Sequence, residues 1–138
     1  MIQSCRRMSL PLELSSINHV ERFVQDLVTE FKVCQKRYSD ILVSVSAAVS
    51  NAIRYGHKEH SARLVYIECN LLENANLKFV ISDSGNGFDF NNVPDPTDPN
   101  SDGQGGGRGI YLMRKLADKC TFKNNGSEVE LEFELGCS

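Results

Sequence analysis

The sequence predicts an α+β fold, a two-layer sandwich in which three helices cover one face of a mostly antiparallel sheet. Three observations carry that prediction. Apolar residues recur at helical spacing in three separated stretches, near residues 17–31, 39–55 and 109–117. Short apolar or alternating stretches lie before, between and after them, two pairs being joined by polar turns that suit hairpins. The resulting order is strand, two helices, hairpin, loop, helix, hairpin, without the repeated strand–helix–strand units of a parallel sheet.

Taken in order, Leu10, Leu12 and Leu14 alternate with other residues and predict a first strand. Ser15 or Ser16 then suits the cap of a helix whose stripe is Ile17, Val20, Phe23, Val24, Leu27, Val28 and Phe31. A second helix is expected from about Ser39 to Tyr55. Ile41, Leu42, Val45, Ala48, Val49, Ala52 and Ile53 turn inward, and Gly56 stands at its C-terminal stop. Strands near Ala62 to Leu71 and Leu77 to Ser82 follow, with Glu73-Asn74-Ala75-Asn76 as the turn of a hairpin.

Between Asp83 and Arg108 the composition changes, and three of the four prolines crowd in among glycines, asparagines and aspartates. A loop of this length inside a compact domain is usually functional. Residues 84–108 are therefore read as a lid over a ligand, since ordered structure resumes directly after them. A third helix begins close to Gly109, with Ile110, Met113, Leu116 and Ala117 on its buried side. The last hairpin comprises Thr121-Phe122-Lys123, a turn at Asn125-Gly126, and a strand from Glu128 to Leu135. There Val129, Leu131, Phe133 and Leu135 alternate with Glu128, Glu130, Glu132 and Glu134, an acidic row read as a solvated face and not a metal site.

At 138 residues and 41% hydrophobic composition, one domain spanning 1–138 can build a core of its own. A net charge of -3 lacks the basic excess of a nucleic-acid footprint, so no direct nucleic-acid partner is expected. No apolar run approaches the roughly 18 residues of a membrane span, and the N-terminus carries no secretory signal, so no membrane partner is expected either and the cytoplasm is the expected compartment. The five cysteines, Cys5, Cys34, Cys69, Cys120 and Cys137, are scattered without C-x-x-C pairs and are expected as free thiols. His19, His57 and His60 show no partner arrangement and receive no catalytic role.

Three segments carry chemistry. Asn51, set among apolar and small residues of the second helix, is either a buried polar group with local partners or an oxygen ligand for Mg²⁺. Arg54, three residues on, lies near the same face and suits a phosphate. Asp83-Ser84-Gly85-Asn86-Gly87 follows a strand. A carboxylate there can accept the exocyclic amine of adenine while Gly85 and Gly87 let the backbone turn closely, or the segment is simply a Gly-rich turn. The run Gly103-Gln104-Gly105-Gly106-Gly107-Arg108-Gly109 opens a helix and offers backbone N–H groups to phosphate. It has neither the G-K-[ST] of a Walker A loop nor the flanking strands of a dinucleotide fingerprint.

Asn51, the D-x-G-x-G of Asp83 to Gly87 and the G-x-G-I-Y-L-M of Gly107 to Met113 resemble, in order and spacing, the motifs of the GHKL ATPases. The VSAAVSNAIRYGHK and GGRGIYLMRKLAD stretches are most similar to the bacterial anti-sigma-factor serine/threonine kinases. The resemblance covers nearly the whole chain and implies a Bergerat fold. It implies that Asn51 coordinates Mg²⁺, that Asp83 holds adenine with help from Ser127, and that Gly85 and Gly87 shape the base pocket. Gly105, Gly107 and Gly109, with Arg108 among them, would form the phosphate end of an ATP or ADP site. It further implies a sigma factor and a STAS-type antagonist as protein partners, the latter phosphorylated on Ser or Thr, and a homodimer.

One position departs from the family pattern. Four residues before Asn51 the family usually carries a Glu that serves as general base, and here stands Ala47. That spacing puts both residues on one helix face, and a methyl group cannot accept a proton. General-base assistance is worth roughly 10²- to 10⁴-fold, although phosphoryl transfer leans mostly on positioning and metal. Two readings follow: a kinase of the anti-sigma type impaired by Ala47, or a non-catalytic nucleotide-binding module that controls a protein partner.

Overall fold

The computed structural model describes residues 2–11, 13–56, 64–83, 107–123 and 127–135. Strand β1 is Ile2–Pro11, and a 3-10 turn over Leu14–Ser16 leads into helix α1, Ile17–Glu30. Helix α2 is Gln35–Gly56, followed by β2, Leu64–Leu72, and β3, Leu77–Asp83. Helix α3 is Gly107–Leu116, and β4, Lys119–Lys123, and β5, Glu128–Phe133, complete the order. The five strands form one sheet in the order β1-β2-β3-β5-β4, with every neighbouring pair antiparallel. This is the expected α+β sandwich, with three helices on one face.

Alternation in the central strands decides which face is covered. Val65, Ile67 and Cys69 of β2, Leu77, Phe79 and Ile81 of β3, and Val129, Leu131 and Phe133 of β5 are all buried. They share a core with Val20, Val24 and Leu27 of α1, Ile41, Val45, Ala48, Val49, Ala52 and Ile53 of α2, and Ile110, Met113 and Ala117 at α3. Each large apolar side chain so buried contributes about 1.5–3 kcal/mol. The rings of Phe79 and Phe133 meet edge to face, 6.0 Å between centroids at 84°.

The first strand differs from the expectation. It ends at Pro11, where the alternating leucines suggested it would continue through Leu14. Proline brings no N–H to a ladder, and β1 is an edge strand, so the chain leaves the sheet there. The strand itself is polar, and Arg6 lies on its helix-facing side, paired with Glu30 of α1 and stacked 5.8 Å from the Phe31 ring. Ser16 does precede α1, but its hydroxyl donates to the Pro11 carbonyl at 2.8 Å and makes no side-chain cap.

Helix α2 starts four residues earlier than its apolar periodicity suggests, because its first turn is polar. The Arg37 N–H donates to the Cys34 carbonyl at 2.9 Å, and Asp40 pairs with the Arg37 guanidinium at 2.8 Å. The β2–β3 turn closes through Ala75, whose N–H donates to the Leu72 carbonyl at 2.9 Å with φ at 67°. Strand β5 stops at Phe133 and not Leu135, since the Glu134 N–H is taken by the Asp118 carboxylate at 2.7 Å. Cys34, expected as a free thiol, is disulfide-bonded, whereas Cys5, Cys69 and Cys120 are free. Spacing along the chain carried no signal of that bond.

The sheet face away from the helices carries cross-strand ion pairs. Glu130 lies between Lys78 at 3.1 Å and Lys123 at 2.8 Å, and Glu132 between Lys119 at 3.8 Å and the Asn76 carboxamide at 3.0 Å. Of the acidic row, Glu130 is thus paired from both neighbouring strands and Glu132 from β4. The hydrogen bond from Lys123, then Lys78, holds the Glu130 carboxyl below the ordinary carboxylate value. Asn70, then Arg7, does the same for Glu68. Burial, with smaller contributions from Cys5 and Glu30, pushes the Cys69 thiol up to about 12, and burial pushes the Cys120 thiol up to about 11.

Candidate functional site

Asp40, Ser44, Ala47 and Asn51 follow one another at steps of four, three and four, so they line one face of α2. Helix α3 packs against α2, and its first turn crosses this face at Gly109. A β-carbon placed on Gly109 would stand 3.4 Å from Asn51 Oδ1, and 3.5 Å from both Asn51 Nδ2 and the Ala47 methyl. Glycine at this point keeps any side chain off the flank of the buried Asn51 carboxamide.

Asn51 is only 7% exposed, yet its Nδ2 has no hydrogen-bond partner among the described residues. The same is true of the fully buried hydroxyl of Ser44, two helical turns earlier. A buried polar atom left without a partner costs about 1–3 kcal/mol. Such a cost is commonly retained where a ligand supplies the missing partner. The unpaired atom is the donor Nδ2, while Oδ1 is the atom of the carboxamide that can face a cation.

The first turn of α3 adds an electrostatic feature. The first N–H groups of any helix lack intrahelical acceptors, and they carry the positive end of its dipole. No acidic residue occupies that turn, while Arg114 and Lys115 sit in the last one. An anion beside Gly107 to Gly109 therefore meets no opposing charge from the helix itself. The carboxamide, the missing β-carbon and the helix terminus together fit a phosphate-bearing ligand with its metal.

A second grouping lies at the end of β3. Asp83 is the last residue of that strand, and its N–H donates to the Ser127 carbonyl at 3.0 Å. Ser127 immediately precedes β5, so pairing of β3 with β5 brings two residues 44 positions apart together. Both are half-buried, which leaves a carboxylate and a hydroxyl partly accessible.

The structure therefore brings Ala47, Asn51 and Gly109 together, and Asp83 with Ser127. Gly85, Gly87 and Gly105 lie outside the described residues, as do the side chains of Arg54 and Arg108 and the positions of His57 and His60. Reading the sequence missed Arg37, a residue that joins α2 to the ends of α3 and β5. Its local signal was slight: an Asp three residues on, at the start of a helix.

Comparison with known proteins agrees with this geometry. The family model described as histidine kinase-like ATPase domain matches residues 10–133. The serine-protein kinase RsbW of Staphylococcus epidermidis is 24% identical over 131 residues, covering 90% of this chain and 82% of that protein. Its counterpart in Staphylococcus aureus is 33% identical over 100 residues, 67% of this chain and 62% of that one. Among solved structures, the RsbU and RsbW domains of a Mycobacterium tuberculosis protein superpose with a TM-score of 0.69 at 14% identity. The match covers 96% of this chain but spans a third of that longer chain, 33%. The histidine kinase domain of a blue-light activated histidine kinase from Erythrobacter litoralis gives 0.55 at 16% identity, covering 91% of this chain and 62% of that one.

Proposed function

The chain belongs to the histidine kinase-like, or GHKL, ATPase family, and from that premise we propose that it is an ATP-binding regulatory domain of the anti-sigma kinase type. The observation that supports this reading is the buried Asn51 carboxamide, its Nδ2 without a partner among the described residues, facing a glycine of the α3 N-terminus. Asn51 offers its amide oxygen to Mg²⁺, and Gly105, Gly107, Arg108 and Gly109 with Arg54 hold phosphates. Asp83 accepts the adenine amine with Ser127 beside it, and Gly85 and Gly87 let the backbone approach the base. When bound, Mg-ATP would supply the transferable phosphoryl group, and the N–H groups of the first turn of α3 would face its phosphates.

In this proposal the partners are a sigma factor, held by the domain, and a STAS-type antagonist phosphorylated on a Ser or Thr. The similarity to RsbW kinases over 90% of the chain supports that partnership. A single domain with a lid over 84–108, a homodimer and a cytoplasmic setting complete the reading. No helix among the described residues is long and apolar enough to cross a membrane.

Ala47 favours a second reading of the same site. The residue beside Asn51 and Gly109 is a methyl group, and it accepts no proton from an attacking hydroxyl. Ser44 lies on the same face, but a neutral hydroxyl is a poor base. The domain would then hold nucleotide as an ordering ligand and control its partner without phosphotransfer. Titration calorimetry with Mg-ATP tests what the two readings share, and absence of binding at millimolar nucleotide would sink both. Phosphotransfer to a STAS partner separates them. Ala47→Glu is expected to raise the rate by about 10²-fold or more, and equal strong activity in both forms would remove position 47 from the account.

A further inference from the structure

We propose that Arg37 is a remote positioning residue for the nucleotide site, acting as a pin at the far ends of the elements that build it. The inference rests on the nucleotide-binding reading and goes beyond it, because Arg37 lies away from every residue assigned to the ligand.

Arg37 stands in the first turn of α2, its side chain only 17% exposed. One guanidinium nitrogen donates to Asp40 at 2.8 Å and a second to Asp118 at 2.6 Å. The third, Nε, donates to the Glu134 carbonyl at 3.1 Å, and the group lies 5.6 Å from the centre of the Phe133 ring. Asp118 is itself held, its N–H donating to the Glu132 carbonyl at 2.9 Å and its carboxylate accepting from the Glu134 N–H at 2.7 Å. A single planar cation thus joins the start of α2, the residues just after α3 and the end of β5.

The opposite ends of the same three elements carry the candidate site. Asn51 lies 14 residues along α2, about 21 Å from Arg37 at helical rise. Gly109 lies in the first turn of α3, which ends two residues before Asp118, and Ser127 precedes β5 beside Asp83. Helices α2 and α3 are consequently tied at one end by Arg37 and Asp118, while at the other Gly109 faces Asn51 with room for a β-carbon between them. A packed helix pair slides or tilts as a rigid body. Releasing the pin frees α3 to shift along α2, and such a shift moves Gly109 and the first N–H groups of α3 relative to the Asn51 carboxamide.

The guanidinium is suited to this task because its fork satisfies two carboxylates and a carbonyl at once from one rigid plane. A lysine reaches one of them at a time. A simple stabilising ion pair predicts a fall in melting temperature alone. A positioning role predicts weakened nucleotide binding in a folded protein.

The full chain and its Arg37→Met variant are titrated with Mg-ADP by calorimetry, with melting temperatures measured in parallel. Ile67→Val, in β2 and outside the three elements, serves as a destabilised reference. Arg37→Met is expected to raise Kd by about threefold to thirtyfold, the usual range for coupling through packed elements, while Ile67→Val leaves Kd within twofold. Asp118→Asn should reproduce the loss in part, and serves in place of Arg37→Met if that variant does not fold. Unchanged affinity in the variants of a chain that binds Mg-ADP overturns the pin and leaves the nucleotide reading intact. Failure of the unsubstituted chain to bind removes both. An equal loss in Ile67→Val reduces Arg37 to a stabilising residue and overturns the proposal.

Discussion

Substituting Gly109 by alanine is expected to move stability and nucleotide affinity in opposite directions. Gly109 is the third residue of α3, and no positive φ stands in the way of a side chain there. The new methyl would make ordinary contacts, 3.4 Å from Asn51 Oδ1 and 3.5 Å from the Ala47 methyl, so it fits without displacing either. Replacing glycine by alanine inside a helix gains about 0.5–1 kcal/mol through reduced backbone freedom in the unfolded chain. For 138 residues, with an unfolding entropy near 2.1 cal/mol/K per residue, that gain is about 2–3 °C in Tm. The same methyl covers the flank of the Asn51 carboxamide. Loss of one interaction with a charged ligand is worth about 1.5–3 kcal/mol, or about 10- to 150-fold in Kd. Differential scanning calorimetry and Mg-ADP titration on one preparation read both quantities. A Gly109→Ala protein that binds as tightly as the unsubstituted chain would refute the assignment of this face to the ligand. One that melts lower would refute the clearance.

Three further outcomes follow from the same contacts. Asn51→Leu removes the unpaired Nδ2 and keeps the branched shape, so stability should stay within about 1 kcal/mol of the starting value while Mg-nucleotide binding disappears; a large drop in Tm would show that the amide has a structural partner. Glu68 and Glu130 titrate below the ordinary carboxylate value of 4.5 in the folded state, so their contribution is present above that value and is lost as pH falls through the lowered values. Urea midpoints should therefore decline on acidification below about pH 4.5, less steeply in Glu130→Gln, and an unaltered slope would remove the ion pairs from the account. Phe79→Ala, in the centre of the core, should cost about 3–5 kcal/mol, a large part of the about 5–15 kcal/mol available to a domain, read as a shift in urea midpoint.

Much of the fold was legible because its signals are local. The period of α1 and α2, the alternation of Val129, Leu131 and Phe133 and the turn at Glu73 to Asn76 all report on neighbours a few residues apart. Element boundaries escaped where a distant group set them. Asp118 takes the Glu134 N–H and stops β5, and Arg37 gives the start of α2 partners more than 80 residues away in sequence. A first strand was expected, but its true extent over Ile2–Pro11 escaped, because the part of this edge strand around Arg6 and Arg7 offers no apolar alternation to read.

For the candidate site, the sequence by itself determined the residue types: a carboxamide on a helix, an acid at the end of a strand, glycines at the start of a helix, and an alanine four residues before the carboxamide, where the resembled family usually carries a base. It determined through a spacing of four that Ala47 and Asn51 share a face. Only the tertiary structure decided that Gly109 closes over that face and that Asn51 Nδ2 finds no partner among the described residues. It alone placed Ser127 beside Asp83. The reason is physical: a periodic pattern states which side of a helix or strand a residue occupies, but what lies across from that side depends on packing between elements far apart in the chain.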